Sequence, residues 1–216
     1  MKNVRVFYKK LSRLKFVSHL DMNRFMSRML KKSGLPVWYT EGFNTHIYIT
    51  FALPLSLGFE SEYDVMDFKV TDDNLTNEDI VLLLKRVMPP YLEIISAAEP
   101  WEKISEVAFA EFKIMFPKVN GLAVKLNSFL LSDEILVTKK NKKGREQTTD
   151  ISKKINKFKI TESEDKIILN IVLSAGNDNL NPTLLLDTFS NNTGFCLPYY
   201  SVLRTKILDK NLDLFK

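Results

Sequence analysis

One order of secondary-structure elements runs through this chain twice, and few folds accommodate it. "NVRVFYK", residues 3 to 9, alternates apolar and polar side chains at the strand period, with Val4, Val6 and Tyr8 on one face. From Ser18 to Lys32 the period changes. Met22, Phe25, Met26, Met29 and Leu30 fall on one helical stripe, and Asn23, Arg24, Ser27, Arg28 and Lys31 lie largely on the other. Ser18 and Asp21 fit a capping box in which Asp stands in for the usual Glu or Gln, and Gly34 with Pro36 closes the helix. "HIYITFALPL" and "EYDVMDFKV" then read as strands on either side of a turn at Gly58. "TNEDIVLLLKRVM" reads as a helix capped by Thr76 or Asn77, and "YLEIISAAE" as a strand.

The order so far is β-α-β-β-α-β, and the second half repeats it. "EVAFAEFKIMF" is a strand, "VNGLAVKLNSFLL" a helix, "EILVTKK" and "KIILNIVLS" strands, "NPTLLLDTFSNN" a helix and "YSVLRTKIL" the closing strand. Residues 149 to 160 add a short irregular piece, and "TKKNKKGREQTTD" is expected to be a basic, mobile hairpin tip. In the ferredoxin-like arrangement this order covers one face of an antiparallel sheet with two helices. The expected class is therefore α+β, as two tandem ferredoxin-like domains, residues 1–101 and 102–216, joined near "EPWEKIS". A chain of 216 residues suits two small domains.

A single cysteine, Cys196, excludes an internal disulfide and any cysteine-rich metal site. The amino terminus lacks a signal peptide's apolar core and no apolar run is long enough to span a bilayer, so a cytoplasmic protein with no membrane partner is expected. Charge is unevenly distributed. Within residues 1 to 35, Lys2, Arg5, Lys9, Lys10, Arg13, Lys15, Arg24, Arg28, Lys31 and Lys32 face Asp21 alone, a net of +9 where the whole chain carries +5. Such a segment points to a polyanion such as RNA, because Lys and Arg neutralise phosphates and release counterions. Arg24 and Arg28 share a helix face with Lys31, and an arginine fork matches phosphate oxygens. Lys9, Lys10, Arg13 and Lys15 are expected to extend that patch.

Of the two histidines, His19 lies within this segment and His46 follows it closely. Imidazole exchanges protons near neutral pH, so either is a candidate catalytic group for cleaving RNA without a metal. His46, Asn44 and Phe43 sit in one loop, where polar residues more often meet ligands. Trp38, Tyr39, Phe43 and Tyr48 are candidates for stacking on bases, although such aromatics and the methionine stripe more often form core. A metal set of His19, His46, Asp21 and Glu41 or Glu62 lacks close ligand spacing, so no metal is expected.

Taken together, "LKFVSHLDMNRFMSRMLKKSGLPVWYTEGFNTHIYITFALPLSLGFESEYDVMDF" resembles the bacterial radical-SAM-linked protein family, a domain of unknown function fused to or encoded beside a radical SAM protein with a cobalamin-binding-type region. The resemblance rests on Phe16, Ser18, His19, Leu20, Asp21, Arg24 and Arg28, on Gly42, Phe43, Asn44 and His46, and on Pro54, Leu55, Gly58, Glu60, Ser61 and Glu62. Thr45 and Ile47 stand where the family pattern has prolines, which leaves the loop around His46 less stiff. The resemblance implies a radical SAM protein as partner and a link to RNA or ribosome metabolism. This chain has no CxxxCxxC cluster, glycine-rich phosphate loop or Gly-x-Ser-x-Gly elbow, so radical chemistry resides in another chain.

The resulting expectation is a non-catalytic companion of a radical SAM enzyme, without a cofactor of its own, presenting tRNA or rRNA for modification. Lys9, Lys10, Arg13, Lys15, Arg24, Arg28, Lys31, Phe43, Asn44 and His46 are expected to bind RNA, and Ser18, Asp21, Gly42 and Gly58 to shape the motifs. The alternatives are a metal-independent endoribonuclease using His19 or His46, and a protein-interaction adaptor without RNA contact.

Overall fold

A computed structural model describes residues 1–140 and 146–216, with side chains described outside 139–146. The tip of the basic hairpin lies outside those residues. The class is mixed α+β with mostly antiparallel strands. Contacts divide the chain into two compact units, Met1–Val107 with Arg204–Lys216, and Ala108–Leu203.

The first unit opens with β1 (Lys2–Lys10), followed by α1 (His19–Lys32), β2 (Ile49–Phe51), β3 (Glu60–Val70), α2 (Asn77–Lys85) and β4 (Leu92–Ala98). β1 lies between β4 and β3 and is antiparallel to both, and β2 pairs with Met66–Phe68 of β3. Alternation in β1 sends Val4, Val6 and Tyr8 into the core, where they meet Met22, Met26 and Leu30 of α1, Phe68 and Val70 of β3, and Ile80 and Leu84 of α2. Thr76 caps α2 with a complete capping box: its hydroxyl oxygen accepts from the Asp79 amide, and the Asp79 carboxylate accepts from the Thr76 amide.

The second unit holds β5 (Phe109–Pro117), α3 (Leu122–Leu130), a hairpin of β6 (Leu136–Lys140) and β7 (Glu146–Asp150), β8 (Ile155–Glu162), β9 (Lys166–Ser174) and α4 (Pro182–Thr193). β9 lies between β5 and β8, antiparallel to each. Phe129 of α3 and Phe189 of α4 meet edge to face, with ring centroids 5.4 Å apart. β10 (Ser201–Leu208) starts in this unit and ends in the first, beside β3.

Two expectations from periodicity change. The long strand anticipated from His46 to Leu55 shrinks to the three residues of β2, because a turn through Ser56–Gly58 follows it closely. The stretch 149–160 holds the end of β7, a short 3-10 turn over Ser152–Lys154 and, beyond the expectation, most of β8. β8 has no fully buried side chain, so it lacks the apolar alternation that would reveal it.

Candidate nucleic-acid interface

The first turn of α1 is set by Ser18, whose backbone is extended and whose Oγ accepts from the Asp21 amide at 3.2 Å. That hydroxyl also donates to Asp21 Oδ2 at 2.7 Å, so Ser and Asp hold each other at the helix entrance. Two further motif residues brace the approach: the Gly58 amide donates to the Lys15 carbonyl at 2.8 Å, and Glu60 Oε1 accepts from the Ser12 amide at 2.5 Å. Gly58 has φ +87°, in the left-handed region where a side chain is strained. The Ser-His-Leu-Asp segment and the Pro-Leu-x-x-Gly turn are thus one mechanical assembly.

With Met22, Met26 and Leu30 buried at four-residue intervals, Leu20, Arg24, Arg28, Lys31 and Lys32 are left on the exposed side. Arg24 and Arg28 are one turn apart, about 6 Å along the axis. Arg24 Nη1 lies 3.4 Å from Asp21 Oδ1, and both side chains are more than half exposed. Such a pair contributes less than about 1 kcal/mol, so the guanidinium remains available to a stronger anion. Arg28 and Lys32 make no ion pair among the described residues. Lys31 Nζ sits 5.5 Å from the centre of the Tyr39 ring, which joins the cation stripe to the hairpin beyond it.

The cations of β1 are disposed differently. Lys2 donates to the Leu75 carbonyl at 2.9 Å. Lys9 pairs with Glu93 at 3.1 Å. Arg5, buried, forks onto both oxygens of Asp67 at 2.7 Å and donates to the Lys216 carbonyl at 2.7 Å. Lys10 is only 2% exposed and donates to the Val17 carbonyl at 3.0 Å. Lys10 therefore leaves the surface set, contrary to the expectation from charge counting. Its alternation register was the missed signal, because Lys10 continues the inward face of Val4, Val6 and Tyr8. Arg13 and Lys15 lie in a short 3-10 turn before α1, with Arg13 exposed and Lys15 Nζ over the Phe16 ring at 5.4 Å.

Beyond α1, Tyr39 pairs with Ile47 and the Thr40 amide donates to the His46 carbonyl at 2.8 Å, closing a hairpin over Glu41–Thr45. Gly42 at φ +111° allows the reversal. Phe43 is fully exposed. His46 Nδ1 lies 3.0 Å from the Asn44 carbonyl and 3.2 Å from Thr40 Oγ1, whose oxygen also accepts from the His46 amide. A carbonyl only accepts, so the Nδ1 proton points to Asn44 and Nε2 is the nitrogen left for a ligand. The other aromatics are engaged: Trp38 and Tyr48 lie edge to face, with Lys69 Nζ 5.1 and 5.2 Å from their ring centres.

His19 occupies the opposite end of α1. Its ring meets the Phe51 ring edge on, with centroids 5.1 Å apart, and caps a small cavity lined by Tyr8, Lys10, Met22 and Asp64. Lys31 is about 18 Å further along the axis, and the His46 hairpin begins beside Lys31. The two imidazoles therefore adjoin different ends of α1. Among the described residues, no three His, Cys, Asp or Glu side chains are grouped to hold a metal.

Below His19 lies a buried ionic cluster absent from the sequence reading. Asp64 and Arg204 form an ion pair with both side chains buried, and Ser61 Oγ accepts from Arg204 Nε at 3.4 Å. Burial, then the neighbouring Asp64 carboxylate, pushes the Tyr8 hydroxyl well above its ordinary range, and burial lowers the Lys10 ammonium. Asp64 shares the inward register of Met66 and Phe68, and a carboxylate in that register needs a buried cation.

No curated protein is similar to the chain in sequence. A chain of a solved structure described as "Crystal Structure of a Cbf5-Nop10-Gar1 Complex" resembles it at 11% identity and a TM-score of 0.49, covering 94% of this chain and 48% of that one. This chain thus spans about half the length of that one. A second, "Crystal Structure of an Unknown Protein from Galdieria sulphuraria", has 11% identity and a TM-score of 0.27, with 93% of this chain and 95% of that one covered. Neither score is high enough to fix a fold. No described helix is long and apolar enough to cross a membrane. A family model matches residues 3–182, and the chain belongs to that family, described as "Uncharacterized protein conserved in bacteria (DUF2344)".

Proposed function

We propose that this chain is a non-catalytic RNA-binding companion of a radical SAM enzyme, acting in the cytoplasm and presenting tRNA or rRNA for modification. The observation that carries the RNA part is the stripe Arg24, Arg28, Lys31 and Lys32, four exposed cations on one face of α1, opposed nearby only weakly by Asp21. Fixed cations on a rigid helix neutralise backbone phosphates without sequence preference, which suits a protein that holds a substrate for another catalyst. The radical SAM partner rests on the resemblance of the Ser-His-Leu-Asp and Gly-Phe-Asn motifs. We read both halves as ferredoxin-like, supported in the first unit by the order β4-β1-β3-β2 and in the second by adjacent β5, β9 and β8.

The test is crosslinking in cells, followed by sequencing of bound RNA and identification of co-purifying proteins. Recovery of tRNA or rRNA together with a radical SAM protein is the expected result. Capture of that protein with no RNA, insensitive to salt, would replace this reading with a pure adaptor. RNA cleavage in EDTA by the purified chain would replace it with a nuclease.

A further inference from the structure

We propose that the Gly-Phe-Asn hairpin takes an unpaired nucleotide, so that the RNA held by α1 is single-stranded or looped where it meets this protein. This rests on the RNA reading above and adds the form of the substrate. Phe43 is fully exposed at the tip of a hairpin whose base is fixed by the Tyr39–Ile47 pairing and the Thr40–His46 hydrogen bond. Its ring therefore forms a platform on a stem held by that pairing and that hydrogen bond. Trp38 and Tyr48 pack on each other and Tyr39 holds Lys31, whereas Phe43 is the most exposed of these rings and has no ring or cation partner among the described residues.

A base inside a duplex keeps both faces stacked on its neighbours and cannot use such a platform; an unpaired base can. The surrounding polar groups suit one nucleotide. His46 is held through Nδ1 by Asn44 and Thr40, which leaves Nε2 for a single hydrogen bond to a base edge or ribose. Lys31, against Tyr39 at the hairpin base, supplies a cation for the adjoining phosphate, and Arg28 lies one turn back along the helix. Glu41, also exposed in the loop, opposes a phosphate at the tip itself, which favours a base rather than backbone over Phe43.

Binding of the full chain to a stem–loop RNA and to a blunt duplex of the same stem, each titrated across salt, tests this. The stem–loop is expected to bind about ten-fold more tightly or better, within the range for one base stacked on an aromatic ring. Phe43→Ala removes that preference without changing duplex affinity, Phe43→Trp retains it, and Arg24→Ala/Arg28→Ala weakens both RNAs alike. A fluorescent purine analogue in the loop is quenched by the native chain and not by Phe43→Ala. Equal affinity for the two RNAs, or a Phe43→Ala chain with the loop preference intact, overturns the inference and leaves the RNA reading standing. Loss of radical SAM protein capture alone in Phe43→Ala also overturns it, assigning the ring to a protein partner. Absence of salt-dependent binding to either RNA sinks both proposals.

Discussion

β1 and α1 each carry four cations within one short stretch, and the fold uses them in opposite ways. Lys2, Arg5, Lys9 and Lys10 of β1 each have a partner within the fold, and two of the four are buried. Arg24, Arg28, Lys31 and Lys32 of α1 stand in solvent with a weak ion pair, a ring contact and no more among the described residues. β1 is covered on both faces from Val4 to Tyr8 and its inward face continues to Lys10, so the charges set there must find partners. A helix on the surface has one face with no such obligation. Net charge along the chain therefore overstates the surface available to a polyanion, and the element bearing each cation decides which of them count.

The strongest way to break this contrast is to attack the buried side. Arg204→Met leaves the Asp64 carboxylate buried beside Tyr8 without its main partner, and is expected to lower stability by about 3–5 kcal/mol, as removal of one member of a buried pair does. Asp64→Leu/Arg204→Met should recover much of that loss, since two apolar residues have no charge to desolvate. Denaturant midpoints for the two variants measure it. A loss below about 1 kcal/mol in the single variant would mean that water reaches the pair, and the buried cluster would then be no different in kind from the helix stripe.

The same distinction marks what was legible in advance. The stripe of α1 could be read because a 3.6-residue period separates Met22, Met26 and Leu30 from Arg24 and Arg28 without reference to the rest of the chain. Lys10 was half legible: its register placed it inward, and only the regional charge count argued otherwise. The Asp64–Arg204 pair spans most of the chain, and no local pattern links its members. The separation of His19 from His46 was equally hidden, since closeness in sequence says nothing about a rigid helix lying between the two sites. β8 was missed because most of its side chains are exposed and none is buried, which leaves no apolar alternation.

Alkaline pH gives a second handle on the buried region. The Tyr8 hydroxyl is raised by burial first and Asp64 second, and the Tyr63 hydroxyl, which donates to the Phe215 carbonyl at 2.9 Å, is raised chiefly by burial. Unfolded tyrosines ionise near pH 10, whereas these two keep their protons in the fold to higher pH. Above about pH 10 the unfolded chain thus binds fewer protons, and stability falls as pH rises. Lys10 acts in the opposite sense: its ammonium is lowered by burial, so the fold gains stability as pH rises from that lowered value toward about 10.4. Tyr8→Phe/Tyr63→Phe should flatten the alkaline decline in denaturant midpoint. An unchanged slope would assign the decline to other groups.

Between the two regions lies the Ser18 cap, which orients the cation stripe without belonging to it. Ser18→Ala removes the acceptor for the Asp21 amide and is expected to cost about 1 kcal/mol, with Ser18→Gly costing only a few tenths. Equal losses in the two variants, read as thermal midpoints, would show that the hydroxyl contributes nothing at the helix entrance.

The smallest effect on stability belongs to the stripe itself, and the contrast depends most on it. Arg24→Ala/Arg28→Ala removes two exposed side chains from a helix whose apolar face is untouched, so stability should move by no more than about 0.5 kcal/mol per site. If each guanidinium neutralises one phosphate, the slope of log affinity for RNA against log salt should become shallower by about 1 per arginine removed. The matched control is Lys9→Ala, whose half-buried ammonium lies closer to Glu93, at 3.1 Å, than Arg24 does to Asp21 and should leave that slope unchanged. A double variant that binds RNA with the native slope would place the phosphates elsewhere on the molecule, and a Lys9→Ala chain with a reduced slope would return β1 to the interface. The measurement thus separates cations that hold the fold from cations that hold a ligand, because only the second group exchanges counterions when RNA arrives.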